Sequence, residues 1–131
     1  MNLVVDTSVI IAVIANEPEK PILIARTQGF DLFAPSSLHW EIGNAFSAML
    51  KRQRITLDQA KAAVAIYQHI PLNLVHIDLE QALELANRHK IYAYDAYVIA
   101  CAVNQSCGLL TLDKGLSYAA KAAGIDAVEV K

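Results

Sequence analysis

The chain has 131 residues, 55% hydrophobic and 18% charged, with eleven Lys and Arg against thirteen Asp and Glu for a net charge of −2. This length suits one domain over residues 1–131, and the apolar content excludes a disordered chain. The charge excludes the broad basic footprint of a sequence-reading nucleic-acid binder, and the longest apolar run, Ala96 to Val103, falls far short of the ~18 residues of a membrane span.

Met1 to Asp6 lacks the basic start and long apolar region of a secretory leader, so a cytoplasmic protein with no membrane segment is expected. Leu3-Val4-Val5 reads as a strand, Asp6-Thr7-Ser8 as a sharp turn, and Val9 to Ala15 as a helix ended by Asn16-Glu17-Pro18. Glu19 to Gln28 forms a second helix closed by Gly29, and Phe30 to Ala34 a second strand. From Ser37 to about Arg54, Leu38, Ile42, Ala45, Phe46, Met49 and Leu50 recur at helical spacing, with Ser36 or Ser37 as cap. Gly43 within that helix suggests close packing.

Thr56-Leu57-Asp58-Gln59 is a capping box opening a helix through Tyr67. Leu72 to Ile77 is a strand, Asp78 caps a helix to about His89, and Tyr94 to Gln105 is the next helix, ended by Gly108. Leu109 to Leu112 is a buried strand, Asp113 caps a helix to about Ala123 that Gly124 terminates, and Ala127 to Val130 is the closing strand. Strands that alternate with helices predict an α/β domain with a mainly parallel sheet covered on both faces. Cys101 and Cys107 fit neither a metal nor a disulfide spacing and read as small buried hydrophobes. A mean hydropathy of +0.33 points to apolar surface covered by a partner or a second copy.

In open parallel sheets, ligands bind beyond the carboxyl ends of the strands. Asp6 follows the first strand and Asp113 the strand Leu109 to Leu112, so both reach that edge. Glu41 and Asp95 lie near helix N-termini inside apolar sequence, and helices that follow strands start at the same edge. Taken alone, each acid reads as a helix cap or as a charge at the positive end of a helix dipole. Together they read otherwise, because an acid such as Asp95 in an apolar helical face is costly to bury unpaired and no Lys or Arg lies near it in its own helix. Clustered carboxylates without His or Cys ligands select Mg²⁺ or Mn²⁺, and such sites support phosphodiester hydrolysis.

Val5-Asp6-Thr7-Ser8, Glu41 with Asn44, Tyr94-Asp95-Ala96 and Leu110-Thr111-Leu112-Asp113-Lys114 resemble, in order and spacing, the four acidic motifs of the PIN-domain ribonucleases, and in particular the VapC-type toxins of toxin–antitoxin pairs. The resemblance implies a three-layer α/β/α sandwich and metal-liganding or metal-positioning roles for Asp6, Glu41, Asp95 and Asp113. It also implies that Thr7 or Ser8, Asn44 and Thr111 orient water or carboxylates. A Mg²⁺- or Mn²⁺-dependent endoribonuclease that forms homodimers and is inhibited by a cognate antitoxin follows from it. The alternatives are a stand-alone PIN nuclease of RNA processing and a non-catalytic interaction module whose acids only cap helices.

Lys51, Arg52 and Arg54 could contact RNA phosphates, or simply complement the helix dipole. Tyr94, with Tyr92 and Tyr97, could stack on RNA bases, or pack within the protein or a dimer. His39, His69, His76 and His89 show no metal-ligand spacing.

Overall fold

The β-branched start of the chain becomes the middle of a sheet. In the computed structural model, which describes residues 1–128 and 130, β1 (Asn2–Val5) pairs with β2 (Asp31–Pro35) on one side and β4 (Gly108–Leu110) on the other. Beyond β2 lies β3 (Leu72–Val75) and beyond β4 lies β5 (Ala127–Val128), and every pairing is parallel. Alternation along β1 sends Leu3 and Val5 to one face and Val4 to the other, each into its own core. The first face is covered by α1 (Thr7–Ile14), α2 (Lys20–Thr27), α3 (Ser37–Lys51) and α4 (Leu57–Gln68), the second by α5 (Leu79–His89), α6 (Ala93–Gln105) and α7 (Lys114–Ala122). The result is a three-layer sandwich.

The strand order β3-β2-β1-β4-β5 reverses direction beside β1. The chain first builds outward through β2 and β3, then crosses to the other side of β1 for β4 and β5. At such a reversal the connections leave the carboxyl ends of the two central strands in opposite directions and open a crevice between them. Asp6 follows β1 and Thr111 follows β4, so the crevice is lined from both sides. Helix α3 follows β2 and therefore starts at the same edge. The reason for α6 differs from the sequence expectation: it follows a helix rather than a strand. It feeds into β4, however, and a helix that feeds a parallel strand begins at the carboxyl edge, which carries Asp95 there.

Several local expectations change. No turn separates β1 from α1, because Asp6 is itself the cap and Thr7 and Ser8 are helical. Neither Ser36 nor Ser37 caps α3 with its side chain. Gly108 does not end α6: Ser106, left-handed at φ 50°, closes the helix, and Gly108 opens β4, where a Cβ would lie 2.9 Å from the Asp126 carbonyl oxygen. The capping box holds, with the Thr56 amide donating to Gln59 Oε1 and the Gln59 amide to Thr56 Oγ1. Of the expected closing strand, Ala127 and Val128 form β5, and Glu129 lies outside the described residues. Cys101 is buried and Cys107 half-buried, both as free thiols, and burial pushes Cys101 up to about 12, too high for a reactive thiolate.

Gly43 is not a packing glycine. A Cβ at this position meets nothing within 4 Å, and the residue is exposed on α3. Gly43→Ala should therefore stabilise the fold by about 1 kcal/mol through restricted unfolded-chain freedom and better helix propensity. Thermal melts should show a gain of roughly 4 °C; no gain would mean that the glycine serves contacts made only in a complex.

Candidate active site at the carboxyl edge

Asp6 leaves β1 with both carboxylate oxygens engaged. Oδ1 accepts the Ser8 hydroxyl at 2.6 Å and the Val9 amide at 3.3 Å, and Oδ2 accepts the Thr111 hydroxyl at 2.6 Å. The same two hydroxyls also act as acceptors: Ser8 Oγ takes the Leu112 amide and Thr111 Oγ1 the Asp113 amide, each at 3.0 Å. The carboxyl ends of β1 and β4 are thus tied through one buried acid. Charge-assisted bonds of this length fix a carboxylate's orientation as well as its place.

Glu41 comes from the second turn of α3, one turn after Ser37 on the same helical face. Its Oε2 is buried with no hydrogen-bond partner among the described residues, and the same holds for Ser37 Oγ. Asp95 is the third residue of α6, where the positive end of the helix dipole favours an acid. Asp113 is exposed and caps α7, accepting the Leu116 amide at 3.1 Å on Oδ1. Capping is therefore real for Asp6 and Asp113, but it leaves Glu41 and Asp95 unexplained.

Electrostatics joins the four. Burial pushes the Asp6 carboxyl above its ordinary value, against the hydroxyls of Ser8 and Thr111 and the Val9 amide, with the Asp113 charge adding to the rise. Burial likewise raises Glu41, with the charges of Asp6 and Asp95 adding to it and the hydroxyls of Thr7 and Ser37 opposing. Asp95 is raised by burial and then by Asp113. Each of the four carboxylates thus repels two others in a closed circuit: Asp6 with Glu41, Glu41 with Asp95, Asp95 with Asp113 and Asp113 with Asp6. The charges acting on Asp6, Glu41 and Asp95 are all negative.

A divalent cation suits this donor set. It would neutralise repelling carboxylates, satisfy the orphaned Glu41 oxygen and meet only hard oxygen ligands. The circuit is open rather than a closed cage, since no three His, Cys, Asp or Glu side chains among the described residues already form a metal-holding group.

The other expected site residues fall into two sets. Thr7 lies by Glu41, and Ser8 and Thr111 hold Asp6. Asn44 is exposed, with its backbone carbonyl accepting the Ser47 hydroxyl. Lys51, Arg52 and Arg54 are exposed around the far end of α3. At ~1.5 Å per residue, Lys51 is roughly 15 Å along the axis from Glu41, which removes these cations from the crevice. Tyr94 is 58% and Tyr92 89% exposed, so neither packs within the protein; Tyr94 meets Tyr97 edge-on at 5.8 Å. His39 turns toward α4, where Nδ1 is 3.0 Å from the Tyr67 hydroxyl. Ser37 escaped notice as a neighbour of Glu41, although its place four residues earlier on the helix signals it.

The raised carboxyls set the sign of a pH effect. A carboxyl whose pKa is higher folded than unfolded holds its proton more readily when folded, so the destabilisation it causes is absent below the unfolded value, 4.5 for Glu41, and appears as pH rises through the folded one. In EDTA, Glu41→Gln should therefore gain thermal stability relative to wild type between pH 4.5 and 7.5, with the gap widening as pH rises. A gap independent of pH would show that Glu41 carries no such burden.

The chain matches the family model "PIN domain" over residues 3–122. No curated protein sequence matches it. Among solved structures it is similar to PAE2754 from Pyrobaculum aerophilum, at 22% identity and a TM-score of 0.65 over 98% of this chain and 91% of that one. It is also similar to FitAcB from Neisseria gonorrhoeae, at 17% identity and a TM-score of 0.69 over 98% and 97% of the two chains. Both likenesses show the fold. Among the described residues, no helix is long and apolar enough to cross a membrane.

Proposed function

Because the chain belongs to the PIN-domain family, whose members are in general metal-dependent nucleases, we propose that it is a Mg²⁺- or Mn²⁺-dependent endoribonuclease, the toxin of a toxin–antitoxin pair. The observation that carries this reading is the circuit of four carboxylates from four separate segments, facing only negative charge and including a buried, unpartnered oxygen on Glu41. Caps alone would not require such a gathering. A non-catalytic module would have no use for it.

Asp6, Glu41, Asp95 and Asp113 would hold the cation, which when bound supplies activation of water and neutralisation of phosphate charge. Ser8 and Thr111 keep both Asp6 oxygens aimed, so little reorganisation is left for the moment of reaction. Thr7 and Ser37 stand by Glu41 and orient it. With a net charge of −2, the protein draws an anionic substrate only where a cation reverses the local field. RNA, an antitoxin protein and a second copy of the chain are the proposed partners.

Induced expression in a bacterial host tests the toxin role. Wild type should arrest growth and degrade RNA, whereas Asp6→Asn should do neither at equal protein level. Growth arrest by both proteins would exclude cleavage as its cause, and RNA cleavage without arrest would favour the stand-alone nuclease.

A further inference from the structure

Beside the carboxylates lies a separate cavity of about 320 Å³, walled by Trp40, Ile77 and Tyr97 and edged by Ser36, Ser37 and His76. It is continuous with the crevice: Ser37 edges it and also acts on Glu41, Trp40 precedes Glu41, and Tyr97 lies two residues after Asp95. Trp40 is 75% exposed, with only the edge of its ring against His39 at 4.8 Å between centroids. A large aromatic ring held open at a cavity mouth loses hydration free energy that a stacked ligand would recover.

We propose that this cavity holds one nucleobase of a single-stranded RNA next to the cleaved phosphate, stacked on Trp40 and read at its edge by Ser36, Ser37 and His76; the inference rests on the ribonuclease reading above. The chemistry of the walls selects this occupant. Every base offers a flat face to an aromatic ring, and unstacked single-stranded bases expose edges that polar side chains can read. The buried, unpartnered hydroxyl of Ser37 calls for a polar ligand atom, which an apolar protein side chain would not supply. The same site then positions the scissile phosphate by holding its neighbouring base.

Trp40 is the sole tryptophan, so its emission reports on this cavity alone. Asp95→Asn protein in Mg²⁺ would be titrated with a mixed-sequence RNA hexamer and with a hexamer of ribose phosphates lacking bases, with fluorescence anisotropy following binding in parallel. The base-bearing RNA should quench Trp40 and bind on the order of tenfold or more tighter than the abasic chain. Trp40→Leu, an exposed change that spares the core, should erase that difference and raise KM for RNA cleavage about tenfold with little change in kcat. Equal affinity for both chains, or binding that leaves Trp40 emission unmoved, would overturn the base site while cleavage by wild type kept the nuclease reading intact. A Trp40 emission shift driven by protein concentration alone would instead assign the face to a second copy. Absence of cleavage and of binding for every RNA would remove both readings.

Discussion

Asp95→Asn should lower RNA cleavage by at least about a hundredfold while leaving the fold intact. Loss of partners that merely orient metal ligands already costs roughly 10- to 100-fold, and Asp95 stands in the carboxylate circuit itself, coupled to Glu41 and Asp113. Asparagine keeps the shape of the side chain and its place in the first turn of α6. What it removes is a charge that burial and a like neighbour both oppose. The metal-free variant should therefore melt no lower than wild type near neutral pH. Cleavage measured on purified, folded protein separates the two effects, and an active variant would take Asp95 out of the site. A large drop in melting temperature would show instead that its carboxylate supports the fold.

Mn²⁺ should stabilise the wild-type protein strongly. Binding to the folded state alone contributes about 2.7 kcal/mol at a hundred times the dissociation constant, on the order of 10 °C for a domain of this length. The site has reason to respond, since the charges now acting on Asp6, Glu41 and Asp95 repel them and a cation would replace repulsion with attraction. The shift should shrink in Asp6→Asn and in Asp95→Asn alike, because one ion or pair of ions neutralises the whole circuit. Shifts equal in wild type and both variants would place the cation elsewhere on the protein. No shift at all in wild type would leave four unneutralised acids whose gathering had no purpose.

The order of elements was legible in the sequence because strands and helices here differ in period and because their ends carry explicit signals. Thr56 with Gln59 forms the expected box, Asp78 and Asp113 cap where expected, and Gly29 and Gly124 are left-handed just past helix ends. The carboxyl-edge rule placed Asp6 and Asp113 correctly from sequence alone. Asp95 reached the same edge for another reason, its helix being fixed by the strand that follows it rather than by one before it. Strand order was not legible, since it depends on which faces find each other across long separations. Ser37 and Trp40 went unweighed because a serine at a helix start reads as a cap and an aromatic in an amphipathic helix reads as core. Only the fold shows that Ser37 lacks a capping bond and that Trp40 stands in solvent. The run from Lys51 to Arg54 misled in the opposite way, its charge being visible in sequence and its distance from Glu41 being set by the length of α3.

The most direct test of a metal-dependent centre is cleavage of single-stranded RNA by one preparation of purified protein under three conditions: with Mn²⁺, after removal of metal by EDTA, and after Mn²⁺ is restored. Cleavage in the first, none in the second and recovery in the third are expected from Asp6, Glu41, Asp95 and Asp113 acting through a bound cation. Undiminished cleavage in EDTA, or none in any condition from folded protein free of bound partners, would contradict it.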